Sequence, residues 1–329
     1  MIYLFATMLV IGAALLWLLG RRAAAPSAIL SYQREIALPR LPPRCDGLRL
    51  LHISDLHLTP RSDSTQAVLD RAQAARPDLI AVTGDLASGW RGLPLARRLL
   101  EQLASRWPTY VVPGNADHWA DRFDRHIARW GETGARLLIN DAQQLCGDGE
   151  RDARSSGASA DCASASSERT PSGANSGAES PSPGLSLRGR GVVALPSEPG
   201  QPRHPPGDGE FWVVGVDDPY RFRDDPGRAL AQVPAGAFKL LLAHSPEVIR
   251  RREALSADLI LAGHTHGGQV RLPVIGALLT RSRLGRKWSR GTFRLGGTVL
   301  ILTTGVGTTR LGVRFCCPPE MTLWVLRGQ

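Results

Sequence analysis

The chain has 329 residues, 43% of them hydrophobic, enough to bury the core of one large α/β domain or two small ones. Its formal net charge of +10 is almost all arginine, only Lys239 and Lys287 being lysine, and it forms no dense basic block interleaved with aromatics, which argues against a nucleic-acid groove. Coding bias and attraction to an anionic membrane face or phosphorylated substrate both stay open as its origin, while five cysteines (45, 146, 162, 316 and 317) without CxxC spacing argue against a disulfide framework.

Residues 2–19 are almost wholly apolar and uncharged, about the length that crosses a bilayer, and Arg21 and Arg22 follow at once. A secretory leader carries its positive charge before the apolar stretch. Charge on the far flank instead predicts a transmembrane anchor over residues 1–22, with the downstream domain on the cytoplasmic face of the inner membrane. The Ala23-Ala24-Ala25 run imitates a cleavage site. Residues 23–46, with Pro26, Pro39, Pro42 and Pro43, read as an exposed stem, and the globular domain is expected over 47–329. Buried strands are predicted at Leu48–Ser54, Leu79–Thr83 and Thr109–Val112, alternating with helices at Thr65–Arg76 and Leu95–Arg106, an α/β pattern. Residues 147–210 are rich in Ser, Gly, Ala and Pro and read as a disordered insertion with a short strand at Gly191–Leu195. Beyond it, strands are expected at Phe211–Val216, Phe238–Ala243, Asp258–Ala262, Thr298–Thr303 and Met321–Leu326, with a helix at Pro246–Leu255.

Five of these apolar strands end in residues suited to a metal: Asp55-Leu56-His57, Gly84-Asp85, Gly114-Asn115, His244, and Gly263-His264-Thr265-His266. Residues two apart on an extended segment point the same way, so Asp55 and His57 are placed to grip one ion. Ligands in open α/β sheets sit beyond the carboxyl ends of the strands, which sends all five elements to one edge. Carboxylate oxygen and imidazole nitrogen suit Mn2+, Fe2+ or Zn2+, and a carboxylate can bridge two such ions about 3.5–4 Å apart. The glycines before Asp85, Asn115 and His264 are read as allowing sharp turns close to the ions.

This order of motifs, DxH, GD, GN, H and GHxH, resembles that of the calcineurin-like metallophosphoesterase superfamily over roughly residues 48–326, the insertion apart. Gly263–Gln269 (GHTHGGQ) with Pro273, and Pro318-Pro319-Glu320, look like its bacterial branch with N-terminal membrane segments. The resemblance implies two packed mixed β-sheets flanked by helices. It also implies two divalent ions, the first held by Asp55, His57 and His266, the second by Asn115, His244 and His264, with Asp85 bridging.

One position departs from the pattern. The superfamily usually follows its Asn with a proton-donating His and then Asp or Glu; here Gly114-Asn115 is followed by Ala116 and Asp117, and His118 lies two residues beyond Ala116. Asn115, Asp117 and His118 are therefore the candidate catalytic residues, with His118 either replacing the missing acid or standing as an ordinary loop residue. A branch that cleaves the pyrophosphate of UDP-2,3-diacylglucosamine in lipid A synthesis also tolerates a non-His residue here. A phosphate leaving group has a second pKa near 6 and needs little protonation, so an enzyme without the acid should favour pyrophosphates or other activated esters. The expected activity is hydrolysis of a phosphorylated lipid or nucleotide-lipid at the membrane. A nucleic-acid or nucleotide phosphodiesterase and a non-catalytic metal-binding scaffold are the alternatives. His52 reads as a packed strand residue and Asp217-Asp218 before Pro219 as a turn. Trp288 with Arg286, Lys287 and Arg290 reads either as a headgroup contact or as a solvated loop.

Overall fold

The structure, a computed structural model, describes residues 28–60, 64–119, 129–146, 193–194, 209–309 and 312–329, with isolated positions before residue 28 and at Ile127. Residues 1–146 and 192–329 make one compact unit, described here by itself, and residues 147–191 are a second unit outside the described residues. The expected insertion thus falls almost wholly outside them. So does most of the expected anchor; its described positions Met8, Ile11, Gly12, Ala14, Trp17 and Leu18 are helical, and no described helix is long and apolar enough to cross a membrane.

The described strands are β1 (Leu30–Ala37), β2 (Arg49–Ile53), β3 (Leu79–Thr83), β4 (Thr109–Val112), β5 (Arg136–Leu137), β6 (Asp141–Cys146), β7 (Val193–Ala194), β8 (Phe211–Gly215), β9 (Phe238–Leu242), β10 (Leu259–Ala262), β11 (Arg271–Leu272), β12 (Gly276–Ala277), β13 (Gly291–Leu295), β14 (Thr298–Leu302) and β15 (Glu320–Arg327). Described helices include α1 (Ser64–Ala75), α2 (Leu93–Ala104) and the short α3 (Pro226–Leu230). One sheet has the order β1-β15-β2-β3-β4-β5 and the other β6-β8-β9-β10-β14-β13-β7. Each is mixed: β2 to β5 run parallel but β15 opposes β2, while β8, β9, β10 and β14 run parallel but β6 opposes β8 and β13 opposes β14.

The alternation of side chains explains why the two sheets stack. In β3, Leu79 and Ala81 enter a core shared with Leu240 and Leu242 of β9 and Leu259 and Leu261 of β10, while Ile80 and Val82 face α1 and α2. Leu241 and Ile260 point the other way, to a third core with α3 and the 3₁₀ turns. Strands buried on both faces read as unbroken apolar runs, which is how they were visible in the sequence.

Three expectations change. Residues 23–46 are not simply a stem: β1 pairs in parallel with β15, and Ile36, Leu38, Leu41 and Cys45 are buried. Prolines bracket this strand without entering it, so they mark its edges. The expected helix Pro246–Leu255 is two 3₁₀ segments, Pro246–Arg250 and Arg252–Ser256, broken at Arg251, whose φ of −86° and ψ of 118° are extended. Trp288 is buried against Phe293 with ring centroids 4.6 Å apart, so its indole meets the core and no headgroup.

Candidate metal centre

The donors lie just beyond the C-terminal ends of β2, β3 and β4 in one sheet and β9 and β10 in the other. Five of them, Asp55, His57, Asp85, His264 and His266, take positive φ between 46° and 69°. Non-glycine residues seldom occupy that region, and such strain concentrates where a site demands it. The convergence of Asp55 and His57 therefore comes from two left-handed residues past the end of β2, and not from the extended pleat the sequence suggested.

The expected donors meet in a continuous set of contacts. Asp55 Oδ1 is 3.3 Å from His266 Nε2, which is 3.1 Å from His57 Nε2. Asp85 Oδ2 is 3.3 Å from His57 Nε2 and 3.4 Å from His244 Nε2, so one oxygen faces both halves. His244 Nε2 lies 3.2 Å from Asn115 Oδ1 and 3.1 Å from His264 Nδ1. Asp55, His57 and His266 form one buried donor group and Asp85, His244 and His264 another, each with its donor atoms within 4.8 Å of one another. Nitrogen and oxygen ligands about 2.1 Å from a shared ion, at angles of about 90–110°, stand about 3.0–3.4 Å apart. The spacings here fit that, and the facing imidazole nitrogens suit an ion between them better than hydrogen bonds to each other.

Neighbouring groups hold each donor in place. His244 Nδ1 donates to Thr83 O at 2.8 Å, leaving Nε2 for the centre, and His57 Nδ1 lies 3.1 Å from Ser88 Oγ. The Ser54 hydroxyl donates to Asp55 Oδ2 at 2.7 Å, and the His264 N–H donates to the same oxygen at 2.9 Å. Asp85 Oδ1 accepts the Ala116 N–H at 2.6 Å, which frees Oδ2 to face both halves. Burial alone would raise the Asp85 pKa, but the charge and hydrogen bond of His244, with His57 and His264, hold it well below the usual carboxylate range. Burial lowers His264 to about 3 and His266 well below its ordinary value, keeping both rings neutral, the form that ligates metal.

Ala116, Asp117 and His118 are all close by, with distinct roles. Asp117 accepts backbone N–H groups of Asp85 at 2.8 Å, Leu86 at 3.0 Å, Ala87 at 3.3 Å and Gly114 at 2.9 Å. Its carboxylate clamps the two loops that carry Asp85 and Asn115, which makes it a positioning residue. His118 is no loose surface residue: its side chain is buried and Nε2 is 2.6 Å from Asp217 Oδ1, whose other oxygen accepts Arg223 Nε at 3.0 Å. Asp218 caps the 3₁₀ turn Pro219–Arg221 by accepting the Tyr220 N–H at 2.9 Å, the turn expected of this pair. His52 is a buried strand residue, Nε2 2.9 Å from Thr83 Oγ1, as expected.

Sequence reasoning passed over Ser54, Tyr220 and Arg314. The Tyr220 ring lies 4.4 Å from that of His264. Arg314 is fully buried; its Nη2 donates to Thr304 O at 2.8 Å and Gly305 O at 3.1 Å, and lies 3.4 Å from His266 Nδ1. The loop it grips returns to the site, the Gly307 N–H donating to Asp55 O at 2.6 Å. Ser54 had a signal, a polar residue ending a buried strand; Arg314 and Tyr220 act across long sequence separations and had none.

Two buried His/Asp donor groups sharing one carboxylate are the residues of a dinuclear centre, and the profile of the calcineurin-like phosphoesterase family matches residues 48–155. Over that stretch the chain is similar to the calcineurin-like phosphoesterases, and with its two donor groups it is a metal-dependent phosphoesterase. It is 22% identical over 308 residues to the uncharacterized metallophosphoesterase YkuE of Bacillus subtilis, covering 92% of this chain and 87% of that one. It is 33% identical over 115 residues to the phosphodiesterase YaeI of Escherichia coli, covering 35% and 40% respectively. It is 28% identical over 118 residues to the UDP-2,3-diacylglucosamine pyrophosphatase LpxG of Chlamydia trachomatis, covering 34% and 36%.

Proposed function

We propose that this phosphoesterase cleaves a bond whose leaving group needs little protonation, a pyrophosphate or activated diester in a lipid or nucleotide-lipid substrate such as UDP-2,3-diacylglucosamine. The observation that carries this is Ala116: its N–H serves Asp85, but its methyl has no proton to give. His118, the neighbouring imidazole, spends Nε2 on Asp217. A pair of divalent ions, when bound, polarises a phosphoryl oxygen and lowers the pKa of a bound water. The chain's own share is positional. Asp85 Oδ2 faces both donor groups, Asp117 locks the loops beneath, and the neutral His264 and His266 offer nitrogen lone pairs.

The names of YaeI and LpxG, a phosphodiesterase and a pyrophosphatase, agree with this class. The apolar residues 2–19 followed by Arg21 and Arg22 support an anchored enzyme with its catalytic domain on the cytoplasmic face, a setting suited to a lipid and unsuited to nucleic acid. A reporter active only in the periplasm, fused after Gln329, should be silent there; a strong signal overturns that topology.

The test of the chemistry is a panel of monoesters, diesters and pyrophosphates with the metal-reconstituted protein. Pyrophosphates and aryl esters should turn over much faster than alkyl esters, and Ala116→His should raise alkyl turnover by roughly 10–100-fold. Equal rates on alkyl and aryl esters, with no effect of His118→Ala, would remove the basis for a pyrophosphate. A loss in His118→Ala confined to poor leaving groups would assign the acid to the His118–Asp217 pair instead.

A further inference from the structure

An apolar cluster adjoins this centre and takes no part in its chemistry. The hairpin β11–β12 starts two residues after Gln269, and around its turn Val274 is 96% exposed, Ile275 60%, Leu278 40% and Leu279 79%. Single exposed apolar residues are ordinary on a soluble surface; four within six consecutive positions are a patch that calls for an occupant.

The hairpin is held firmly from below. Arg271 Nη1 donates to Gly267 O at 2.7 Å and to Ser289 Oγ at 3.0 Å, and the Leu278 N–H donates to Val270 O at 3.2 Å. Ala277 is buried where Gly268 has no side chain, a Cβ there meeting Ala277 Cβ at 2.6 Å. The apolar tip is thus projected by a fixed base that begins one residue after the GHTHGGQ motif.

Along this segment the charge has one sign. Residues 271–290 include Arg271, Arg281, Arg283, Arg286, Lys287 and Arg290 and no Asp or Glu. Of these, Arg281, Arg283, Arg286, Lys287 and Arg290 are exposed. Arg283 lies 4.6 Å over the ring of Phe222, itself 62% exposed, and 4.8 Å over Tyr220, the ring that neighbours His264. The charge of Arg281 also reaches His264. The patch therefore runs up to the second donor group.

An apolar tip backed by cations matches the layering of a bilayer surface, acyl chains beneath a plane of phosphates. We propose that residues 274–279 enter the headgroup region of an anionic lipid bilayer while the arginines behind them pair with lipid phosphates, so that the metal centre opens onto the membrane surface. Neither the N-terminal apolar stretch nor the nature of the leaving group enters this contact.

The test uses the full chain reconstituted in vesicles of phosphatidylcholine, with and without phosphatidylglycerol, carrying an environment-sensitive fluorescent amino acid in place of Ile275. In the anionic vesicles its emission should shift to the blue and be quenched by lipids spin-labelled near the top of the acyl chain. Arg286→Glu with Lys287→Glu should reduce that quenching at least about five-fold, and Val274→Asp with Leu279→Asp should abolish it while metal content stays at the wild-type value. Unshifted emission in both vesicles overturns the proposal, as does quenching that is equal in neutral lipid and indifferent to the Glu variants. A shift that follows protein concentration without lipid assigns the surface to a second copy of the chain and overturns it too.

Discussion

Asp55 is packed so closely that a single methyl group should disable it. A Cβ at Gly263 would stand 2.0 Å from Ser54 Oγ and 2.3 Å from Asp55 Oδ2. Ordinary non-bonded contact is about 3.5 Å, so Gly263→Ala requires the Asp55 carboxylate to retreat by about 1 Å. Gly305 also packs against this side chain, an added Cβ there meeting Asp55 Cβ at 2.6 Å and Oδ2 at 2.9 Å, so the carboxylate has little room to yield. Its displacement breaks the bonds that Oδ2 accepts from Ser54 and the His264 N–H and disturbs the contact of Oδ1 with His266. A displacement of about 1 Å at a reacting centre costs roughly 100-fold in rate, and overpacking a rigid site costs about 1–3 kcal/mol of stability. Turnover of an aryl phosphodiester, elemental analysis and a urea melt in chelator measure the three effects: slower hydrolysis, fewer than two ions retained, and a lower midpoint. Gly131→Ala, whose added Cβ meets nothing within 4 Å, is the control and should match wild type. Wild-type turnover and two retained ions in Gly263→Ala would refute the reasoning.

Three further outcomes follow from the same geometry. Asp85→Ala should release both ions, because Oδ2 faces both His57 and His244; retention of either ion at full occupancy, read by elemental analysis, defeats the bridging role. Arg314→Leu strips the carbonyls of Thr304, Gly305, Gly307 and Cys317 of their buried donor and should lower stability by about 3–5 kcal/mol in denaturant titration, a change below about 1 kcal/mol counting against it. Burial lowers the His52 pKa from 6.5 to about 3, so between those values the unfolded chain binds a proton that the folded one refuses. Stability should therefore rise with pH across that window, this one group contributing up to about 1.4 kcal/mol per pH unit. His52→Gln should remove that share of the slope, and parallel stability–pH curves for the two proteins would exclude it.

The centre was more legible in the sequence than its surroundings. Asp55, Asp85, Asn115, His244 and His264 each close or follow a short apolar run, and parallel strands deliver their ends to one side, so residue order alone brought them together. The backbone that achieves this was hidden: nothing in Asp55 or His57 announces positive φ, a conformation imposed by packing. β1 was obscured because its sequence, LSYQREIA, mixes polar with apolar residues and lies among prolines, as suits a largely exposed edge strand in which Ile36 is buried. Pro246–Ser256 has helical composition, but Arg251 adopts an extended conformation that ends one 3₁₀ segment and starts the next. Trp288 resembled a surface aromatic because arginines and a lysine flank it, yet Phe293 covers it from five positions on.

The donors also have an architectural consequence. Asp55, His57, Asp85 and Asn115 extend from one sheet, and His244, His264 and His266 from the other, so bound ions staple the two halves of the fold where their strand ends meet. A ligand that binds only the folded chain adds about 2.7 kcal/mol of stability at one hundred times its dissociation constant. Chelation should accordingly loosen the seam between the sheets, and thermal melts recorded across titrations of manganese, iron and zinc become a way to rank which ion the protein prefers before any substrate is known.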